Sequence, residues 1–170
     1  MRLRTPIVGI ALVLLAGAGA AAAAATRAAP EVSCDRIVLR GAAGAADGFH
    51  VVLDAVSMPG ARHLARETES RPGRWRSYRN GGIAIRGGTS DVTISVPEGW
   101  RDRVARSWGG SRPSSTVRFG RCAASAGAVW NSFSGGFHLR GRADCVPLHV
   151  VVGGMSTTLR VGIGRACGEH

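Results

Sequence analysis

The stretch that most constrains this chain runs from Val146 to Gly164. Two β-branched segments, VPLHVVV and TTLRVGIG, flank Gly153, Gly154, Met155 and Ser156. Glycine adopts positive φ without a steric penalty, so the pair reads as an antiparallel hairpin with a loop longer than two residues. Val146, Leu148, Val150 and Val152 fall on one face, and Leu159, Val161 and Ile163 form the matching face of the second strand. Strict alternation then turns Cys145 outward and Arg165 and Cys167 inward. Those two cysteines can bond only if an extra residue or bend at Gly162 or Gly164 flips the tail and brings Arg165 out.

The same strand period recurs upstream. Phe137 and Leu139 alternate with His138 and Arg140, Ile83 alternates with Ile85, and Val92, Ile94 and Val96 alternate in DVTISVP. The turn carried by Gly87 to Ser90 makes Gly81–Gly87 and Asp91–Pro97 a second expected hairpin. Asp35–Gly41, the start of Phe49–Pro59, and Ser115–Cys122 add further strands. Between them, Ala61–Gly82 reads as a long arginine-dense loop with one helical turn near His63–Glu67, and Ala123–Ala128 as a flexible connector. Pro97, Glu98 and the four-residue recurrence of Trp100, Val104 and Trp108 predict one short helix stopped by Gly109 and Gly110, with Arg101, Arg103 and Arg106 facing solvent. Short strands with glycine-rich turns and one helix indicate a mainly β chain, an antiparallel β-sandwich of immunoglobulin-like or related topology. A small barrel fits the same pattern.

The N-terminus reads as a targeting segment. Arg2 and Arg4 precede an apolar core, Ile7–Leu15, and small residues from Ala18 to Ala25 offer cleavage sites, so residues 1–25 are expected to be a signal peptide. An uncleaved anchor is the alternative. Residues 26–33 then form a linker, and residues 34–170 a single sandwich domain. This predicts a protein secreted or held in the cell envelope. In such a compartment four cysteines form a disulfide framework, for which three connectivities exist. The favoured one joins Cys34 to Cys122 and Cys145 to Cys167.

The segments WNSFSGGFHLRG, CVPLHVVVGG and LRVGIGRAC, with VTISVPEGWRDRVARSWGG, resemble small exported proteins of unknown function from GC-rich, actinobacterial-type genomes. The resemblance spans roughly residues 34–167. It implies the exported architecture and assigns no catalytic residue.

The formal charge is +11, and all 22 basic residues are arginine. Coding bias toward arginine, alanine and glycine accounts for much of that charge, so nucleic acid is not the expected partner. One stretch pairs the charge with a mechanism. In RPGRWRSYRN, Arg71, Arg74, Arg76 and Arg79 interleave with Trp75 and Tyr78, a set that can hold anionic cell-envelope polymers by bidentate contacts and stacking. Against it stands the plainer arrangement in which Trp75 packs into the sandwich and the arginines solvate the loop. No G-x-S-x-G or cysteine–histidine signature marks a nucleophile, and His50, His63, His138, His149 and His170 lack the spacing of a metal site, although His138 and His149 would approach if their strands paired. The expected function is therefore non-enzymatic binding or envelope structure, without a cofactor or metal. A small secreted hydrolase is the alternative.

Overall fold

In the computed structural model, residues 28–41, 48–69, 74–124, 127–143 and 145–168 are described. The segment expected to be a signal peptide, residues 1–25, lies outside them. In chain order the strands are β1 (Glu31–Val32), β2 (Ile37–Gly41), β3 (Phe49–Val52), β4 (Val56–Pro59), β5 (Glu67–Glu69), β6 (Ser77–Asn80) and β7 (Ile83–Arg86). There follow β8 (Val92–Ser95), β9 (Val104–Trp108), β10 (Thr116–Phe119), β11 (Trp130–Phe133), β12 (Gly135–Leu139), β13 (Cys145–Val152) and β14 (Met155–Gly162). Three sheets result, with orders β1-β10-β8-β13-β14, β2-β11-β7-β4-β3 and β5-β6-β12-β9.

The hairpin of β13 and β14 forms as its side chains require. Val146, Leu148, Val150 and Val152 are buried, and Val146 opposes Val161 while Leu148 opposes Leu159. Its loop is tighter than expected. Val152 pairs with Met155, which leaves Gly153 and Gly154 alone in the turn at φ of 52° and 87°. That is the two-residue connection whose twist matches the strands, and two adjacent glycines allow it. The strand ends at Gly162, the chain bends, Gly164 takes a φ of 81°, and Arg165 is exposed. Cys145 and Cys167 are bonded with Cα atoms 5.4 Å apart, and Cys34 and Cys122 are bonded with Cα atoms 5.5 Å apart.

Inward residues of all three sheets join one core. A ladder of rings crosses it: Phe137 on β12 meets Trp108 on β9 edge-on at 5.8 Å, Trp108 lies 6.1 Å from Phe119 on β10, and Phe119 lies 5.2 Å from Phe133 on β11. Trp108 is fully buried, and its indole N–H donates to the Gly81 carbonyl at 3.0 Å. The mainly β sandwich with two disulfides is thus as expected.

Four details differ from the sequence expectations. Glu31 and Val32, placed in a linker, form β1 and pair in parallel with β10. The loop Ala61–Gly82 contains a 3-10 turn, Ala61–Leu64, and two strands, β5 and β6. The strands β7 and β8 are not a hairpin, because β7 pairs with β4 and β11 whereas β8 pairs with β10 and β13. The connection Gly87–Ser90 instead carries the chain from one sheet to another.

The fourth difference concerns the predicted helix. Only Glu98–Trp100 is helical, as a 3-10 turn, and Val104–Trp108 is strand β9. A spacing of four satisfies a helical face and a strand face alike, since four is twice the strand period. The choice matters for Arg106. On a helix it would face solvent, but on β9 it shares the inward face with Val104 and Trp108, and it is 0 % exposed. Its Nη2 donates to the Ser115 carbonyl, while Nε and Nη1 meet no acceptor and no carboxylate pairs with it among the described residues. Burial alone lowers its pKa to about 9.

A buried charge without a counter-ion is costly. Replacing Arg106 by Met should therefore stabilise the fold by about 1–4 kcal/mol, as apolar replacement of buried ionic groups does. The Ser115 carbonyl keeps its bond from the Val96 N–H at 2.9 Å, so no acceptor is orphaned. Between the folded pKa of about 9 and the higher, ordinary arginine value, the unfolded chain holds the proton that the folded chain has released, and wild-type stability rises with pH. Urea midpoints of wild type and R106M should differ below that window and converge as pH rises through it; a wild type more stable than R106M at neutral pH contradicts the argument.

Candidate arginine groove

Strands β5 and β6 place Glu67 opposite Arg79, and the two side chains form an ion pair at 3.3 Å. Arg79 Nη1 also donates to the Ala65 carbonyl at 3.0 Å. Across β12, Arg79 is in register with Phe137 and Ser77 with Leu139, so both point toward the inner side of the sandwich. At this edge the core gives way to a groove of about 540 Å³, with Leu139, Ala143 and Ile163 as its apolar part. Arg76, Arg79, Arg142 and Arg165 line it, and Glu67 is the acidic residue among its described lining residues.

These arginines come from three separate segments. Arg76 leads into β6, and its backbone N–H donates to the Leu139 carbonyl at 2.8 Å. Arg142 follows β12, and its carbonyl accepts from Arg103 Nη2 at 3.4 Å. Arg165 belongs to the tail beyond β14, held by the Cys145–Cys167 bond. The close fold of that tail depends on Gly162, where a Cβ would lie 2.2 Å from the Arg165 carbonyl oxygen.

The aromatic–arginine stretch singled out in the sequence is divided by the fold. Arg76 and Arg79 reach the groove. Arg74 pairs with Asp102 at 2.5 Å, sits 5.2 Å from the centre of the Trp75 ring, and with Arg101 and Arg112 lines a different concavity of about 420 Å³. Trp75 and Tyr78 lie on the outer face of the third sheet, with ring centres 6.4 Å and 4.8 Å from His138. Arg71 lies outside the described residues. Trp75 thus packs on the sheet exterior rather than in the core.

His138 is buried, and its Nε2 is 2.7 Å from Ser107 Oγ on β9. His149 lies on β13 in another sheet, so the approach of His138 and His149 does not form. Arg142 and Arg165 were missed as site residues, and Arg106, expected at the surface, is buried. No local spacing marks Arg142 and Arg165, because they join Arg76 and Arg79 only through pairing over more than sixty intervening positions. Comparisons of the chain with known protein families, with curated proteins and with solved structures found no match.

Exposure separates the two stretch arginines that share the groove. Arg79 is anchored by Glu67 and a backbone carbonyl, whereas Arg76 is exposed. Changing Arg79 to Ser should lower stability by about 1–2 kcal/mol through lost charged hydrogen bonds, and changing Arg76 to Ser should stay within about 0.5 kcal/mol. Urea unfolding of the two variants checks the ranking, and an R76S loss equal to that of R79S contradicts it.

Proposed function

We propose that this chain is an exported, non-enzymatic β-sandwich protein of the cell envelope or extracellular space that holds anionic polymers in the groove of Arg76, Arg79, Arg142 and Arg165. One observation carries the reading: four guanidinium groups from three segments converge on one concavity beside a single described carboxylate. A charge run on an open loop is simply solvated, but convergence in a concave, partly apolar site concentrates the field on a bound oxyanion. Guanidinium groups also bind phosphate and carboxylate in a planar, bidentate manner. Export is supported by the targeting pattern of residues 1–25 and by two disulfides, which persist in oxidising compartments. Among the described residues no helix is long and apolar enough to cross a membrane.

The protein should be retained on an immobilised anionic polymer and released by salt, because screening shortens the reach of exposed charges to about 8 Å at physiological ionic strength. The double variant R76S/R142S should lose roughly tenfold or more in affinity, on the scale of two lost charge-assisted contacts, with its melting temperature nearly unchanged. R101S/R112S, altered at the other concavity, should bind as wild type does. Equal losses from both pairs would reduce the interaction to net charge, and absence of salt-sensitive retention would end the proposal.

A secreted hydrolase is the second reading, and the Ser107–His138 hydrogen bond favours it, since a serine within reach of a histidine base is the core of nucleophilic acyl transfer. The rings of Trp75 and Tyr78 beside a histidine only 6 % exposed favour packing instead. A serine-directed fluorophosphonate should leave Ser107 unlabelled. Labelling of wild type that disappears in H138Q would move the assignment to the hydrolase.

A further inference from the structure

The arginine groove ends at the tail that follows β14, and a second concavity begins on the other side of the same tail. Ile163 and Arg165 line the groove, whereas Gly162, Ala166 and Cys167 line the second hollow, of about 390 Å³. The tail is therefore a ridge between two depressions. It is seated by contact as well as by its disulfide: a Cβ on Gly162 would fall 2.9 Å from Ala61 Cβ, and one on Gly164 would fall 3.6 Å from Ala65 Cα. The second hollow presents His50, Arg62 and Arg160, all exposed, and no carboxylate among its described lining residues. Arg160 is fixed near the bridge, with Nε 3.4 Å from Cys145 Sγ.

Resting on the proposed function, we infer that the two hollows are successive subsites for one linear polyanion, which crosses the disulfide-tied ridge and meets Arg62 and Arg160 after leaving Arg76 and Arg142. The ridge is one chain thick, about 5–10 Å on strand and sheet spacings. A single phosphate or carboxylate group fits one hollow. A polymer with an oxyanion on every repeat occupies both, and linking two weak contacts raises its affinity through effective concentration. The ligand class is thus an extended chain of repeated phosphate or carboxylate groups rather than a compact anion. The disulfide holds the saddle over which it lies.

The test measures affinity at fixed ionic strength for tripolyphosphate and for long-chain polyphosphate, with oligogalacturonate and polygalacturonate as the carboxylate pair. Wild type should bind the long member of each pair more tightly than the short one. R62S/R160S should weaken binding of the long members by roughly tenfold or more and leave the short ones unchanged, whereas R76S/R142S should weaken both. A length preference confined to polyphosphate keeps the two-hollow path and makes the repeating group phosphate. Should R62S/R160S fail to fold, R160S alone, altered on the exposed face of β14, carries the same expectation in smaller measure. Unchanged long-chain affinity in these variants, or equal weakening of long and short probes, overturns this inference and leaves the groove intact. No binding of any probe by wild type overturns the proposed function with it.

Discussion

Everything in this fold depends on how Trp108 is enclosed. Its ring touches Phe137 within its own sheet and Phe119 in another, and Phe119 passes the contact to Phe133 in the third. Aromatic pairs at such distances add directional energy to the area they bury. The indole N–H, which would be a costly orphan in this interior, is satisfied by the Gly81 carbonyl at the start of the approach to β7. Gly135 completes the enclosure. It has a φ of 144°, and a Cβ there would lie 2.0 Å from the Ser107 carbonyl oxygen and 2.7 Å from the Trp108 ring. The chain turns there from β11 into β12, so one glycine both seats the tryptophan and moves the backbone between sheets.

Elements defined by local pattern were legible in the sequence, and elements defined by distant partners were not. The faces of β13 and β14, the bend that lets Cys145 reach Cys167, and both disulfides followed from alternation and compartment. Trp100, Val104 and Trp108 misled because their spacing obeys both periods, and nothing within Pro97–Gly110 decides between them. The deciding contact is the ladder of β12 against β9, thirty residues further on. The sheet change between β7 and β8 was hidden for the same reason, since a glycine-rich connection looks alike whether it closes a hairpin or crosses between layers. The groove was half visible. Arg76 and Arg79 stood out by density, but Arg142 and Arg165 become neighbours only when the tail folds back.

A chain with arginine and no lysine puts the same side chain to opposite uses. Guanidinium is weakly hydrated and planar, so it tolerates burial and ion pairing better than an ammonium group. Arg106 lies inside the sandwich on one carbonyl, Arg79 is clamped by Glu67, and Arg86 pairs with Asp54 while resting 5.0 Å from the centre of the Trp130 ring. Formal charge therefore overstates what the surface offers. The proposed binding rests on the cations gathered around the tail, and position rather than number distinguishes them.

The strand orders carry a consequence for synthesis. β11 lies between β2 and β7, β12 between β6 and β9, and β13 between β8 and β14. Each sheet thus has an interior strand drawn from beyond residue 129. A ribosome delivers the strands up to β10 first, and that portion leaves a gap inside the second and third sheets and an unpaired β8 edge on the first. Pairings that span most of a chain are slow to form, and open edges invite aggregation while they wait. Closure of each sheet therefore waits for strands from beyond residue 129, and this order of pairing predicts a nascent chain that stays open until late in synthesis.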